Sequence, residues 1–145
     1  MPRPYLLDLN VLVALTDDEH PHYQKAQTWF DSARHAEWGT CPLTEAGYIR
    51  LVANPAAGFP EGSLTRAIEV LFAVTAQPGH RFWPISESWT TLTAPFADRI
   101  FGHQQVTDAY LLGLAIKENG LLVTFDRGLK YLAGAEYSRN LLILD

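Results

Sequence analysis

The first apolar run of the chain, residues 4–15, reads PYLLDLNVLVAL and carries one acid, Asp8, near its middle. The residues before Asp8 are typical of a short buried strand, and residues 10–15 are typical of a short helix. A carboxylate that is buried without a partner costs several kcal/mol or takes up a proton. An acid in this position therefore indicates a site with a compensating positive charge.

Three further acids stand at the edges of apolar segments in the same way. Glu45 is near the start of TEAGYIRLV (44–52), and Asp108 is near the start of VTDAYLLGLAI (106–116). Asp126 directly follows LLVTF (121–125). Each acid alone has an ordinary interpretation as a first-turn acid of a helix or as a turn residue. Together, the four carboxylates favour a divalent metal ion as a shared counter-charge, because such ions prefer oxygen ligands.

Strand-like and helix-like segments alternate along the chain, which predicts βαβ units and an α/β fold with helices on both faces of a parallel sheet. Strands are predicted at residues 5–7, 38–41, 81–85, 121–125 and 140–144. Helices are predicted at 10–15, 21–36, 44–53, 63–76, 86–97, 108–119 and 128–133. In such sheets ligands gather at the carboxyl ends of the strands, where Asp8 and Asp126 are expected.

The ends of several helices carry capping signals. Thr44 and Thr107 are predicted N-caps of the helices that carry the second and third acids, because a hydroxyl can accept from a free amide of the first turn. Ser63 or Gly62 is predicted to cap the helix that runs to residue 76, and Asn119-Gly120 is typical of a helix C-terminus.

The bulk properties restrict the class of protein. The chain has 145 residues, which predicts a single domain over 1–145, and its net charge of −5 argues against a non-specific nucleic-acid coat protein. Cys41 is the only cysteine, which excludes an intrachain disulfide and a cysteine zinc cluster. We find neither a membrane-spanning apolar run nor a signal-peptide pattern, and we expect a cytoplasmic protein.

The order and spacing of these segments resemble the PIN-domain ribonucleases, and more narrowly the VapC-type toxins of bacterial toxin–antitoxin pairs. The resemblance covers nearly the whole chain. The motifs on which the resemblance rests are LDLNVL (7–12), EHPHY (19–23) with Ala26 and WF (29–30), LTE (43–45) through RL (50–51), TDAYL (107–111) and TFDRG (124–128). Each piece is common by itself, and the joint pattern is specific.

The resemblance implies a three-layer α/β/α domain around a central, mostly parallel sheet of four to five strands. It also implies that a Mg²⁺ or Mn²⁺ ion serves as the cofactor of RNA cleavage, and that four acids form the catalytic and metal-binding site: Asp8, Glu45, Asp108 and Asp126. Asn10 matches a position that supports the first acid, and Thr107 is a second supporting candidate. Many relatives carry another acid at Gly128, and its absence here puts a strongly occupied second metal site in doubt.

The same resemblance implies two protein partners, a VapB-type antitoxin whose C-terminal segment fills the acidic cleft and a second copy of the chain in a homodimer. Something must also contact the phosphates of the RNA. Arg127, next to the last acid, and Arg99 are the candidates. His20 and His22 could together bind zinc, but two ligands without a third make a poor site, so a helix-start or surface role is favoured.

Two other function classes are consistent with the sequence. One is a PIN-fold binding module that no longer cuts RNA, which the missing acid at Gly128 and the negative charge would explain. The other is a phosphoryl-transfer fold of similar topology, such as a receiver or a haloacid-dehalogenase-like phosphatase. Asn10 stands where that class would have a second aspartate, and Asp126 stands where it would have a lysine, which argues against it.

Overall fold

The computed structural model describes residues 3–33, 36–59 and 62–145. The strands are β1 (Tyr5–Leu7), β2 (Trp38–Thr40), β3 (His80–Phe82), β4 (Leu121–Thr124) and β5 (Leu141–Ile143). The α-helices are α1 (Leu9–Thr16), α2 (Tyr23–Ser32), α3 (Pro42–Val52), α4 (Leu64–Thr75), α5 (Trp89–Thr93), α6 (Val106–Lys117) and α7 (Leu129–Ala133). Short 3₁₀ turns lie at Pro55–Ala57, Ala94–Arg99, His103–Gln105 and Ser138–Asn140.

The five strands form one parallel sheet in the order β3-β2-β1-β4-β5, with β1 in the centre. The chain builds the sheet outward from β1 in one direction and then returns to add β4 on its other side. The strand order therefore reverses between β1 and β4. In open α/β sheets this reversal opens a crevice at the carboxyl ends of the two strands, which is where ligands bind.

Helices cover both faces of the sheet, because its central strands are apolar on both sides. Leu6 and Leu122 belong to a buried cluster formed with α5, α6 and α7. Leu7 and Val123, one residue further along each strand, belong to a cluster formed with α1 and α2. The α/β fold class and the five-stranded parallel sheet that the sequence predicts are confirmed. Of the helices described here, none has the length and apolar character needed to cross a membrane.

Two of the predicted helix caps are wrong. Helix α3 begins at Pro42, so that Cys41 is its N-cap and Thr44 lies inside the first turn, where its hydroxyl accepts from the Cys41 amide at 3.0 Å. Proline suits the first helical position, since its missing N–H would have no partner there. Helix α6 begins at Val106 and follows directly from a 3₁₀ turn, so that Gln105 takes the cap position and Thr107 is helical.

Other boundaries agree with the sequence or shift by a few residues. Ser63 caps α4, as predicted, by accepting from Arg66 N at 3.1 Å. Asn119 adopts a left-handed backbone with φ of 53°, and Gly120 N donates to Ala115 O at 2.8 Å, which confirms the predicted C-terminal cap of α6.

Three predicted elements differ more from the structure. Helix α2 is shorter than the predicted 21–36, because it starts at Tyr23 and ends at Ser32; residues 34 and 35 of that prediction lie outside the described residues. Strand β3 lies at His80–Phe82 rather than at 81–85. The predicted helix over 86–97 is divided into α5 and a 3₁₀ turn with proline near its start.

Helices α5 and α6 approach each other at Gly113. An added Cβ at Gly113 would lie 2.4 Å from the carbonyl oxygen of Leu92. We predict that Gly113→Ala lowers the free energy of unfolding by about 1–3 kcal/mol, because this overlap outweighs the better helix propensity of alanine. Urea unfolding measures the effect. Gly102→Ala is the matched control, since a Cβ there meets nothing within 4 Å. Equal stability of the two variants would contradict the predicted contact.

Candidate functional site

Asp8 lies at the carboxyl end of β1 and is the N-cap of α1, with only 6% of its surface exposed. One carboxylate oxygen, Oδ1, accepts from the Leu9 amide at 2.7 Å, and the other, Oδ2, accepts from the Thr124 hydroxyl at 2.8 Å. Burial raises the pKa of Asp8, and the nearby charge of Asp126 adds to this, although the two hydrogen bonds oppose the shift. The carboxylate is therefore held in one orientation in a place that disfavours its charge.

The hydroxyl of Thr124, at the end of β4, connects the parts of the site. It donates to Asp8 and accepts from Asn10 Nδ2 at 3.2 Å and from the Asp126 amide at 3.0 Å. A hydroxyl can donate one hydrogen bond and accept two, so the hydrogen-bonding capacity of the Thr124 side chain is complete. Asn10 Oδ1 accepts from the Phe125 amide at 3.2 Å. Asn10 thus contacts the partner of Asp8, and supports the acid indirectly.

Asp108 and Asp126 are close enough to share a hydrogen bond. Asp108 lies in the first turn of α6, and Asp126 follows β4, where its Oδ1 accepts from the Gly128 amide at 2.8 Å. Burial, then the charges of Asp8 and Asp126, then this hydrogen bond raise the pKa of Asp108 to about 7. A hydrogen bond between two carboxyl groups requires that one of them be protonated. The raised pKa makes Asp108 the protonated partner.

The three aspartates line one shallow pocket of about 350 Å³ at the strand-order reversal. Asn10 and His20 line it as well, together with apolar residues that include Phe59. Sequence reasoning assigned His20 to a surface or helix-start role and missed its place in this pocket. The pair of histidines in EHPHY was the available signal, but its meaning depends on where the loop between α1 and α2 places His20.

Glu45 does not line this pocket. It lies in the first turn of α3, and its Oε2 accepts from the Thr40 hydroxyl at 2.6 Å rather than lining the pocket of the three aspartates. In the part of the chain that the structure describes, no three His, Cys, Asp or Glu side chains are grouped as a metal site would require. The prediction that all four acids act in one site thus stays a prediction.

The remaining predicted site residues have other surroundings. Thr107 is exposed in the first turn of α6, next to Asp108. Arg127 is largely exposed, and its Nη2 lies 3.2 Å from the Asp145 carboxylate. Arg99 donates from Nε to Leu132 O at 2.9 Å and from Nη2 to Ala133 O at 3.1 Å, so that it fixes the end of α7. A substrate-binding role for either arginine stays a prediction.

Gly128 lies directly beside the Asp126 carboxylate. An added Cβ at Gly128 would lie 3.1 Å from Asp126 Oδ1, the same oxygen that accepts from the Gly128 amide. A larger residue would press on this carboxylate, and an acid would add a second negative charge beside it. Glycine therefore leaves Asp126 and Asp108 as the acidic pair at this side of the pocket.

The chain matches a known family of domains over most of its length. The family model of the PIN domain matches residues 5–135. The chain belongs to the PIN-domain family. The alternative of a receiver or dehalogenase-like phosphatase is therefore wrong.

Relatives with assigned names lie within the VapC group of that family. The chain is 40% identical to ribonuclease VapC39 of Mycobacterium tuberculosis over 130 residues, which is 90% of this chain and 94% of that protein. It is 43% identical to ribonuclease VapC38 of the same organism over 128 residues, covering 88% and 89%. These identities confirm the VapC-type resemblance that the sequence motifs indicated.

Two solved structures share the fold at low sequence identity. VapBC2 from Rickettsia felis, bound to a DNA fragment from their promoter, matches with a TM-score of 0.68 and 16% identity over 98% of this chain and 99% of that chain. FitAcB from Neisseria gonorrhoeae matches with a TM-score of 0.59 and 17% identity, covering 97% and 96%. At these identities the likeness supports the fold alone.

The raised pKa of Asp108 predicts a pH dependence of stability for the metal-free protein. Between its ordinary pKa of 3.8 and about 7, the folded state binds the Asp108 proton more tightly than the unfolded state does. Stability therefore falls as pH rises through this window. We expect Asp108→Asn to reduce this fall by the part that Asp108 contributes, so that in EDTA at pH 8 its Tm lies above that of the wild type, while Asp8, whose pKa is also raised, keeps its own part.

Thermal unfolding in EDTA at pH 5 and pH 8 measures this effect. Asp98→Asn is the matched control, because it removes an exposed acid at a 3₁₀ turn and should leave the pH dependence of the wild type in place. Parallel pH profiles for Asp108→Asn and the wild type would contradict the predicted burial and crowding of this carboxylate.

Proposed function

We propose that this chain is a Mg²⁺- or Mn²⁺-dependent endoribonuclease and the toxin of a toxin–antitoxin pair, acting in the cytoplasm as a single PIN domain over 1–145. The observation that carries the proposal is the meeting of Asp8, Asp108 and Asp126 in one pocket of a PIN-domain fold. The names of the VapC relatives, all ribonucleases, support the choice of RNA as substrate.

The chemistry of the donors in the pocket suits a hard divalent cation, although the described carboxylates would have to move closer together to hold it as a group of three. Carboxylate oxygens are the ligands that Mg²⁺ prefers, and it is commonly bound through one or two of them with waters completing the shell. The pKa values of Asp8 and Asp108 are raised, so a cation would relieve the repulsion and displace the shared proton. Asp8, Asp108 and Asp126 would hold the ion, with Glu45 as a fourth contributor. When bound, it would lower the pKa of water and offset charge on the phosphate.

The chain's own groups prepare this site. The Leu9 amide and the Thr124 hydroxyl fix both oxygens of Asp8, so that this carboxylate needs no reorientation when a ligand arrives. The Gly128 amide fixes Oδ1 of Asp126 in the same way. With a pKa of about 7, Asp108 is partly protonated near neutral pH and would release its proton when positive charge enters the pocket. Preorganised carboxylates of this kind suit hydrolysis of a phosphodiester.

Phosphate contacts must come from basic or polar groups at the rim. Arg127 is the first candidate, because its ion pair with Asp145 is exposed and such pairs contribute little to stability. The guanidinium can therefore move to a phosphate at small cost. Thr107, exposed beside Asp108, can donate from its hydroxyl. Arg99 is a weaker candidate, since two of its nitrogens already donate to backbone carbonyls.

A groove next to the acidic pocket supports a protein partner. It has a volume of about 480 Å³, is lined by apolar and aromatic side chains such as Tyr48 and Val70, and has an acidic rim at Asp17, Asp18 and Glu19. Phe59 lines both the groove and the acidic pocket, so that the two adjoin each other. We propose that a VapB-type antitoxin places an apolar segment in the groove and a basic side chain, such as arginine, among the carboxylates.

A homodimer is the second proposed assembly. Helix α4 exposes Leu64, Ile68 and Phe72, which are spaced four residues apart and so lie on one side of the helix. Exposed apolar stripes of this kind are typical of surfaces that contact another chain.

The first experiment tests cleavage of total RNA and transfer RNA by purified protein with Mn²⁺ or Mg²⁺ against EDTA. We predict that the wild type produces discrete fragments only with metal, and that Asp8→Asn abolishes them. Asparagine is also a good N-cap, so Asp8→Asn should keep the fold, and thermal unfolding checks this because the asparagine NH2 cannot accept from the Thr124 hydroxyl as Oδ2 does. Asp31→Asn, an exposed acid on α2, is the matched control and should cut like the wild type.

Two results would contradict the proposal. One is cleavage by Asp8→Asn at the wild-type rate in saturating Mn²⁺. The other is a folded wild type that neither cleaves RNA nor binds Mn²⁺ in calorimetry, which would favour the alternative of a PIN-fold binding module.

The second experiment tests the antitoxin by co-expression with the neighbouring small open reading frame and pull-down. Truncation of an aromatic anchor in an interface commonly costs about 2 kcal/mol or more, so we predict that Phe59→Ala weakens the complex at least about 10-fold. Tyr131→Ala, an exposed aromatic on α7, is the control and should bind like the wild type. Equal affinities for both variants would contradict the groove as the antitoxin site.

A further inference from the structure

Glu45 is connected by two hydrogen bonds to the edge of the sheet. Its Oε2 lies 2.6 Å from Thr40 Oγ1, at the end of β2, and Thr40 Oγ1 lies 2.9 Å from His80 Nε2, at the start of β3. Thr40 is fully buried. Two elements adjacent in sequence, β2 and α3, thus meet β3, 40 residues further along, in one short chain of polar atoms. None of its three residues lines the pocket of the three aspartates.

The positions of the protons in this chain follow from the groups themselves. The Thr40 hydroxyl has a single hydrogen, and it donates that hydrogen to Glu45 Oε2. A lone pair of the hydroxyl is then left for His80, so Nε2 must be the donor and must carry a hydrogen. Burial is the main influence on the pKa of His80 and lowers it, with Glu45 partly opposing. The ring is therefore neutral at neutral pH, with its hydrogen on Nε2.

Packing holds the His80 ring in this orientation. In the sheet, His80 is the neighbour of Trp38, and the two rings meet edge to face with their centroids 5.0 Å apart. Trp38 is almost fully buried and packs in the same way against Phe30, on α2. A ring fixed by core packing gives a hydrogen bond of defined direction, which a surface histidine would not.

We propose that Thr40 and His80 are positioning residues that set the orientation of the Glu45 carboxylate for the reaction. Oε2 is occupied by Thr40, whereas Oε1 accepts no hydrogen bond from the residues that the structure describes. Oε1 is therefore the oxygen left for a ligand. Glu45 needs such support because the aspartate network around Thr124 does not reach it. This inference rests on the proposed function, since it assigns Glu45 a part in that reaction.

Four variants test the chain of hydrogen bonds. Thr40→Val and His80→Leu remove one link each, whereas Thr40→Ser and His80→Gln keep a hydroxyl and an N–H donor. Loss of a residue that orients a ligand commonly costs about 10- to 100-fold in activity or metal affinity. We expect that loss in kcat for Thr40→Val and His80→Leu, with KM for RNA nearly unchanged, and substantial recovery in Thr40→Ser and His80→Gln. Calorimetric Mn²⁺ affinity should follow the same order.

Three controls separate positioning from folding. Arg81→Gln changes the same strand, but its side chain is directed to the opposite face, so its kcat should match the wild type. All variants are compared by thermal unfolding. In a Glu45→Gln background, adding His80→Leu should cause little further loss of kcat, because the carboxylate that His80 orients is already changed.

A spectroscopic measurement tests the geometry without activity. The ¹⁵N shifts of the His80 ring should report a neutral ring protonated on Nε2, and the Nε2 signal should move in Thr40→Val but not in Arg81→Gln. Protonation on Nδ1 alone would overturn the proposal, as would a wild-type kcat in a folded His80→Leu. Failure of the proposed function gives a different result, since the wild type itself would then lack metal-dependent cleavage while the His80 signal still reports the hydrogen bond to Thr40.

Discussion

The site depends on a single buried hydroxyl, that of Thr124. It joins the ends of two neighbouring strands, because it donates to Asp8 after β1 while accepting from Asn10 and from the Asp126 amide. Without this donor, a nearly buried carboxylate would have lost one of its two hydrogen bonds, and the desolvation of Asp8 would be opposed less. The apolar strands bring the acids together, and the hydrogen bond from Thr124 partly offsets the cost of burying the Asp8 carboxylate.

Crowding of the acids and reactivity are two consequences of the same arrangement. Asp8, Asp108 and Asp126 meet where the strand order reverses, and the charges of Asp8 and Asp126 raise the pKa of Asp108 beyond the effect of burial. A folded protein keeps such a cluster only if packing elsewhere supplies the stability, and here both faces of the sheet are covered by helices. A bound cation would offset the repulsion within the cluster, which connects the cost of the crowded acids to the proposed chemistry.

Membership of the PIN-domain family is consistent with this physical account but does not replace it. The family identifies which acids to compare, whereas the structure separates them into two groups with different supports. The aspartates share Thr124 and one another, while Glu45 depends on Thr40 and on His80 at the edge strand. On the proposal above, the edge of the sheet at β3 contributes to the site through these hydrogen bonds. At Gly128, an added Cβ would lie 3.1 Å from Asp126 Oδ1, so that a larger residue there would press on this carboxylate.

The sequence by itself determined the α/β class, the parallel strands and the family, because apolar periodicity and motif order are local properties of the chain. It also indicated that Asp8 would be buried, since apolar residues flank it on both sides. It was wrong about Thr44 and Thr107 as caps, because a preceding proline and a preceding 3₁₀ turn started both helices earlier. Only the tertiary structure decided that His20 lines the acidic pocket, that Asn10 acts through Thr124, and that Glu45 is held by His80. The hydrogen bonds of Asn10 and His80 join residues 40 to 115 positions apart, and the position of His20 depends on the loop that carries it. No local pattern of the sequence contains such contacts.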